Sequence, residues 1–179
     1  CIWERLLELR DDGVIGELGI SVQNVEEAVR ALNDPGVRYI QLPFNVLDRR
    51  WLDSTFQSSL KGRPDVIVHA RSSLLQGILA IEDSAVWPKI PGLDPDSIIS
   101  KLHRVANHLG RRDLIDLSLA YVRGQEWIHS VVVGVERVEQ LEDVAELSLR
   151  PALTLEERTY VEQEIEGGPE ELVNPALWV

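Results

Sequence analysis

The sequence predicts an α/β protein built from parallel βα units. Four short apolar runs alternate with helical patterns along the chain, and no tight-hairpin signal separates any two of them. The third run, Val66-Ile67-Val68, has the β-branched character of a strand buried on both faces.

The opening stretch Ile2–Leu9 reads as a helix with Leu6, Leu7 and Leu9 among charges, stopped at Asp11-Asp12-Gly13. Val14–Ser21 is the first predicted strand. Asn24 is a suitable N-cap for a helix over Val25–Leu32, with Glu27 placed to close a capping box. After the turn Asp34-Pro35-Gly36 comes the second strand, Val37–Leu42, ended by Pro43. A helix is expected over about Arg50–Leu60, then the third strand over Asp65–Ala70. A long connection to Asp94 leads to helices over Asp96–Leu109 and Asp113–Arg123. The fourth strand is expected at Ile128–Val133 and a helix at Val138–Leu147. Thr154 caps a last helix with Glu157 at the capping-box position. Gly167–Val179, which contains Pro169 and Pro175, reads as irregular.

Four such units fit either an open doubly wound sheet or half of an eight-stranded barrel with right-handed crossovers. A full barrel usually takes about 250 residues, more than the 179 present. The length suits one domain over 1–179 with a substantial core. A net charge of −12 repels phosphate backbones and argues against nucleic acid. The five tryptophans are scattered without a stacking pattern and read as packing anchors. No apolar run has the ~20 residues of a membrane helix, and no signal peptide is visible. The one cysteine, Cys1, cannot form an internal disulfide, which fits a reducing, cytoplasmic setting. The chain lacks methionine and begins within a helical pattern, so it is expected to be a piece of a longer protein or a processed form.

The ends of the four strands carry the chemistry. They read Ser21-Val22-Gln23, Gln41-Leu42-Pro43-Phe44-Asn45, Arg71-Ser72-Ser73-Leu74 and Gly134-Val135-Glu136-Arg137. Amides, hydroxyls and guanidinium groups at consecutive strand ends suit a carboxamide and a phosphate better than acid–base work. Gly13-x-x-Gly16-x-x-Gly19 is not a dinucleotide fingerprint, because its glycines precede and enter the strand instead of following it. They read as a turn and as close strand packing. His103 and His108 share a helix roughly 140° apart at 3.6 residues per turn, which does not make a metal pair. His69 and His129 fall within strands and read as structural, His69 as a hydrogen-bonded core residue. Tyr121 sits on an outer helix, poorly placed to donate a proton to the strand ends.

The segments Gly13–Ser21, Ile40–Asn45, His69–Gly77 and Val133–Leu141, in this order, resemble the second half of an aldo-keto reductase. Leu117–Gln125 resembles the helix before that family's last strand. Ser21-Val22 and Arg71-Ser72-Ser73-Leu74-Leu75-Gln76-Gly77 are most similar to members encoded with nucleotide-sugar and surface-polysaccharide pathways. The resemblance implies the second half, four strands, of a (β/α)8 TIM barrel that reduces a small-molecule carbonyl with NADPH or NADH. It implies that Ser21 and Gln41 hold the nicotinamide carboxamide. Arg71 falls where an aromatic usually stacks on the nicotinamide ring. Ser72 and Leu74 match the pyrophosphate turn, and Gly134, Glu136, Arg137 and Gln140 match the adenosine end. Val22 and Val144 stand where the family commonly has Asn. Glu136 would favour a free ribose hydroxyl and Arg137 a 2′-phosphate, leaving both cofactors open.

The family's Asp, Tyr, Lys and His tetrad belongs to the first half of the barrel, so these residues alone are expected not to reduce a carbonyl. The other reading is a non-catalytic half-barrel that binds a nucleotide or a partner. Two open sheet edges make a missing N-terminal half or a homo-oligomer the expected partner. An open-sheet phosphate-binding protein would need a glycine loop after the first strand, and Ser21-Val22-Gln23-Asn24 has none.

Overall fold

A computed structural model describes residues 2–178; Cys1, on which the expectation of no internal disulfide rests, lies outside them. A parallel four-stranded sheet runs in sequence order: β1 (Leu18–Ser21), β2 (Val37–Pro43), β3 (Ile67–Arg71) and β4 (Ser130–Val131). Helices α1 (Ile2–Asp11), α2 (Val25–Leu32) and α3 (Ser54–Lys61) precede or link the first three strands. α4 (Pro95–His108) and α5 (Leu114–Arg123) lie between β3 and β4; α6 (Val138–Leu149), α7 (Leu155–Glu164) and α8 (Glu170–Val173) follow.

Two strands are shorter than their apolar runs, for local reasons. Gly13 adopts φ +71°, and the amides of Val14 and Ile15 bond back to the Leu9 carbonyl at 2.9 and 3.3 Å. Those donors finish α1, so β1 starts at Leu18 instead of Val14. β4 has only two residues. The imidazole Nδ1 of His129 accepts the Val68 amide (3.1 Å) and the His129 amide donates to the Val68 carbonyl (2.9 Å). A side chain thus replaces a carbonyl in the ladder just before β4.

The helix expected over Arg50–Leu60 is broken in two. Asp53 accepts from the amides of Thr55 (2.8 Å) and Phe56 (3.2 Å), capping α3 and leaving Arg50–Leu52 as one 3-10 turn. Asn24 caps α2 as expected, accepting from the Glu27 amide at 2.9 Å, but the Glu27 carboxylate returns to the amide of Gln23 at 2.7 Å, one residue before the cap. At α7 the reciprocal box of Thr154 and Glu157 forms fully. The C-terminal segment is not irregular: α8 and a 3-10 turn at Pro175–Leu177 form there, and Leu172 and Val173 are buried.

Alternation along the strands gives the sheet two unlike faces. Ile40, Leu42, Val68 and Ala70 are fully buried under the helices. Phe44, Trp51, Phe56 and Tyr121 continue this core, with Trp127 packed against it. The other face carries Ser21, Tyr39, Gln41, His69, Arg71 and Ser130 and is half-buried or exposed. Gly19 lies there because a Cβ would sit 2.6 Å from that of Tyr39, which is the close packing expected of it.

At the opposite end of the strands, Arg63 grips the sheet start. Its guanidinium forks onto Asp65 (3.0 Å twice) and donates to the carbonyls of Leu32, Asp34 and Val37. The Arg63 hydrogen bonds, with Arg38 adding charge, hold the Asp65 carboxyl down at about 2. The folded state therefore favours ionised Asp65: the stabilisation is present above the carboxyl's ordinary value and is lost as pH falls towards 2. Asp65→Asn is expected to flatten the fall in melting temperature between pH 4 and pH 2.5, and parallel profiles for variant and wild type would refute this.

Candidate nicotinamide-cofactor site

Ser21 and Gln41 end up side by side. They are register partners on β1 and β2, and Gln41 is in turn the partner of His69 on β3, which pairs with Ser130. A polar row therefore crosses the open face near the strand C-termini. His69 is half-buried in this row and packs edge-on to Tyr39 with ring centroids 5.4 Å apart. That ring contact replaces the hydrogen bond expected of a core histidine.

Arg71, two residues beyond His69 on the same face, closes the row from above. Its Nη2 donates to the Gln23 side-chain oxygen at 2.8 Å and to the Val22 carbonyl at 3.3 Å, both just past the end of β1. The guanidinium thus reaches from β3 to β1 across the end of β2. Burial draws its pKa down from the ordinary value, and among the described residues no carboxylate pairs with it. Gln23 is held in turn, its amide donating to Asn174 Oδ1 at 3.1 Å. The segment after α8 is thereby tied to the strand ends.

After Arg71 the chain makes a strained turn. Ser72, Leu75 and Gln76 have φ of 59°, 45° and 55°, and Gly77 has 90°. Such non-glycine conformations cost of order 1–3 kcal/mol each and persist only when the surroundings impose them. Here buried Leu75 anchors the turn, while the buried Asn45 amide donates to the Ser72 carbonyl at 3.4 Å and its oxygen accepts the Leu47 amide at 3.0 Å. Leu74, between the strained positions, is half-buried. The amides of Leu75 and Gly77 close the turn on the carbonyls of Ser72 and Leu74, each at 2.9 Å.

The fourth strand end stands apart from this group. Gly134, Glu136 and Arg137 are exposed in the loop before α6. Gln140 folds back so that its side-chain oxygen accepts the amides of Glu136 (2.8 Å) and Arg137 (3.2 Å). Only this half of a capping box forms, since a guanidinium has no acceptor to return. Val144 lines a 330 Å³ cleft between α5, β4 and α6, together with His129, Ser130 and Val133.

Sequence reasoning placed Gln23 and Asn45 at the strand ends that carry the chemistry but gave them no role of their own, and it passed over Asn174. Asn174 carries no local signal, its contact with Gln23 bridging 151 positions. Tyr121 is fully buried on α5, under Arg49 and donating to Glu162 at 2.8 Å, with its pKa raised chiefly by burial. No group of three or more metal-ligating side chains occurs among the described residues, and none of their helices is long and apolar enough to cross a membrane.

The fold is matched in solved structures. The aldo-keto reductase AKR11C1 from Bacillus halodurans superposes in its apo form with a TM-score of 0.68 at 22% identity, covering 90% of this chain and 55% of that one. Its holo form gives 0.67 at 21% identity, covering 90% and 54%. The present chain therefore spans about half the length of these barrel proteins, and its sheet has the fold of half a (β/α)8 barrel. No curated protein matches the chain. The sequence model of the aldo/keto reductase family matches residues 1–166, nearly the entire sheet-and-helix body described above, so the chain belongs to the aldo/keto reductase family.

Proposed function

We propose that this chain forms the nicotinamide-cofactor side of an NAD(P)H-dependent carbonyl reductase acting on a small-molecule aldehyde or ketone. The observation that carries this reading is the pairing of Ser21 with Gln41 on the open sheet face, beneath the Arg71 guanidinium. A hydroxyl and a primary amide offer the donors and acceptors that a carboxamide needs. The turn at Ser72–Gly77 and the loop at Gly134–Arg137 would face a pyrophosphate and an adenosine phosphate through amides other than those of Leu75, Gly77, Glu136 and Arg137, which the turn carbonyls and Gln140 already hold. When bound, the cofactor supplies a hydride to the carbonyl carbon. The chain's own residues bind and orient it, with Ser21 and Gln41 fixing the ring plane and Ser72 and Leu74 the diphosphate. Glu136, Arg137 and Gln140 shape the adenosine end. The proton for the carbonyl oxygen comes from groups outside these residues.

Tryptophan-quenching titrations with NADPH and with NADH test this directly. Saturable quenching is expected, and its absence in a folded chain would overturn the reading. A sharper result is expected from Ser21→Ala and Gln41→Ala: each weakens binding of the complete cofactor about five- to tenfold, the loss of one or two hydrogen bonds, while leaving binding of 2′,5′-ADP unchanged. Equal losses for both ligands would place the carboxamide elsewhere.

A further inference from the structure

We propose that Arg71 makes this site discriminate between the redox forms of its cofactor, holding the reduced, uncharged nicotinamide more tightly than the oxidised, cationic one. The inference rests on the nicotinamide placement above and adds to it a consequence of charge.

Three observations carry it. The guanidinium is fixed in place, gripping Gln23 Oε1 and the Val22 carbonyl, so it cannot swing freely away from a ligand. It spans from the end of β3 to the end of β1, past the Ser21–Gln41 pair that would hold the carboxamide. Its partners are neutral oxygens, and among the described residues no carboxylate offsets its charge. Arg50, at the same mouth of the sheet, contrasts with it: Asp48 neutralises that guanidinium through two bonds, at 2.9 and 2.7 Å.

A planar guanidinium can lie on a ring face as an aromatic side chain does, so a neutral ring loses little by the exchange. A cationic ring held by Ser21 and Gln41 would meet the like charge of Arg71 in a partly desolvated setting. Like charges repel appreciably there even with partial screening. The expected size is roughly a tenfold difference in affinity between the two forms, equivalent to about 1.4 kcal/mol. In an enzyme running towards reduction, such a difference speeds departure of the spent cofactor and opposes the reverse reaction.

The test measures Kd for NADPH and for NADP+ on the 179-residue chain and on Arg71→Gln and Arg71→Lys, with circular dichroism to confirm folding. The oxidised-to-reduced Kd ratio is expected to fall about tenfold in Arg71→Gln and to stay near the wild-type value in Arg71→Lys. A salt series on the wild type gives a second readout that needs no variant. Both forms share the same phosphates, so counterion effects on them cancel in the ratio, and added salt is expected to compress it. A ratio that neither substitution nor salt moves overturns the role of Arg71 while leaving the cofactor site standing. Failure of both forms to bind the folded wild-type chain overturns the site and this inference together.

Discussion

Asp48→Ala is expected to destabilise the protein by about 3 kcal/mol and to weaken cofactor binding at the same time. The Asp48 carboxylate is fully buried and receives three bonds from Arg50: backbone amide at 3.2 Å, Nε at 2.9 Å and Nη2 at 2.7 Å. Removing one partner of a buried pair leaves the other charge uncompensated, which typically costs 3–5 kcal/mol. The lower end applies because the Arg50 side chain keeps 23% of its exposure and can recover water. Arg50 also donates to the carbonyls of Gln23 and Val173, each at 3.4 Å, so its release loosens both the strand end that positions Arg71 and the helical turn beyond it. Asp48→Asn keeps one acceptor and is expected to lose about half as much. Denaturant midpoints for the three proteins, with unchanged slopes, give the comparison. An alanine variant as stable as wild type would show that the pair merely offsets its own desolvation.

Legibility in the sequence followed the range of the interaction. The Thr154–Glu157 box and the Asn24 cap lie within three residues of their partners, and both were readable. The succession of apolar runs and helical patterns without a tight hairpin exposed the parallel βα order, whereas the third run, expected to be buried on both faces, buries only one. Strand length was less accessible. Nothing in Val14-Ile15 announces that the Leu9 carbonyl will take both amides, and an apolar run at 128–133 does not reveal that the His129 ring will enter the ladder. The candidate site divides the same way. Ser21, Gln41 and Arg71 could be placed at strand ends, with their proposed roles coming from the family resemblance, whereas the Arg71–Gln23–Asn174 chain needed the three-dimensional return of the C-terminal segment. That segment looked irregular because two prolines interrupt it. Its order comes from burial of Leu172 and Val173 and from the Gly168 amide bonding to the Leu47 carbonyl at 2.8 Å.

Phe44→Ala is expected to cost about 4 kcal/mol. Phe44 has no exposed surface and joins two parts of the core: its ring stacks on Tyr121 at 5.7 Å and meets Trp127 edge-on at 5.2 Å. Trp127 contacts Phe56, which contacts Trp51, so an alanine cavity would interrupt an aromatic series running from Tyr121 to Trp51. Rings of this rigidity cannot collapse into the space, and two aromatic pairings worth about 0.5–1.5 kcal/mol each are lost besides. Phe44→Leu fills most of the volume and is expected to cost about half as much. The consequence reaches the site because the Phe44 amide donates to the Arg71 carbonyl at 2.9 Å, locking β2 to β3 where Gln41 and Arg71 stand. With total stabilities of roughly 5–15 kcal/mol, the alanine variant would show a strongly lowered denaturation midpoint and altered emission from neighbouring Trp127. If Phe44→Leu were as damaging as Phe44→Ala, ring geometry and not cavity volume would dominate at this position.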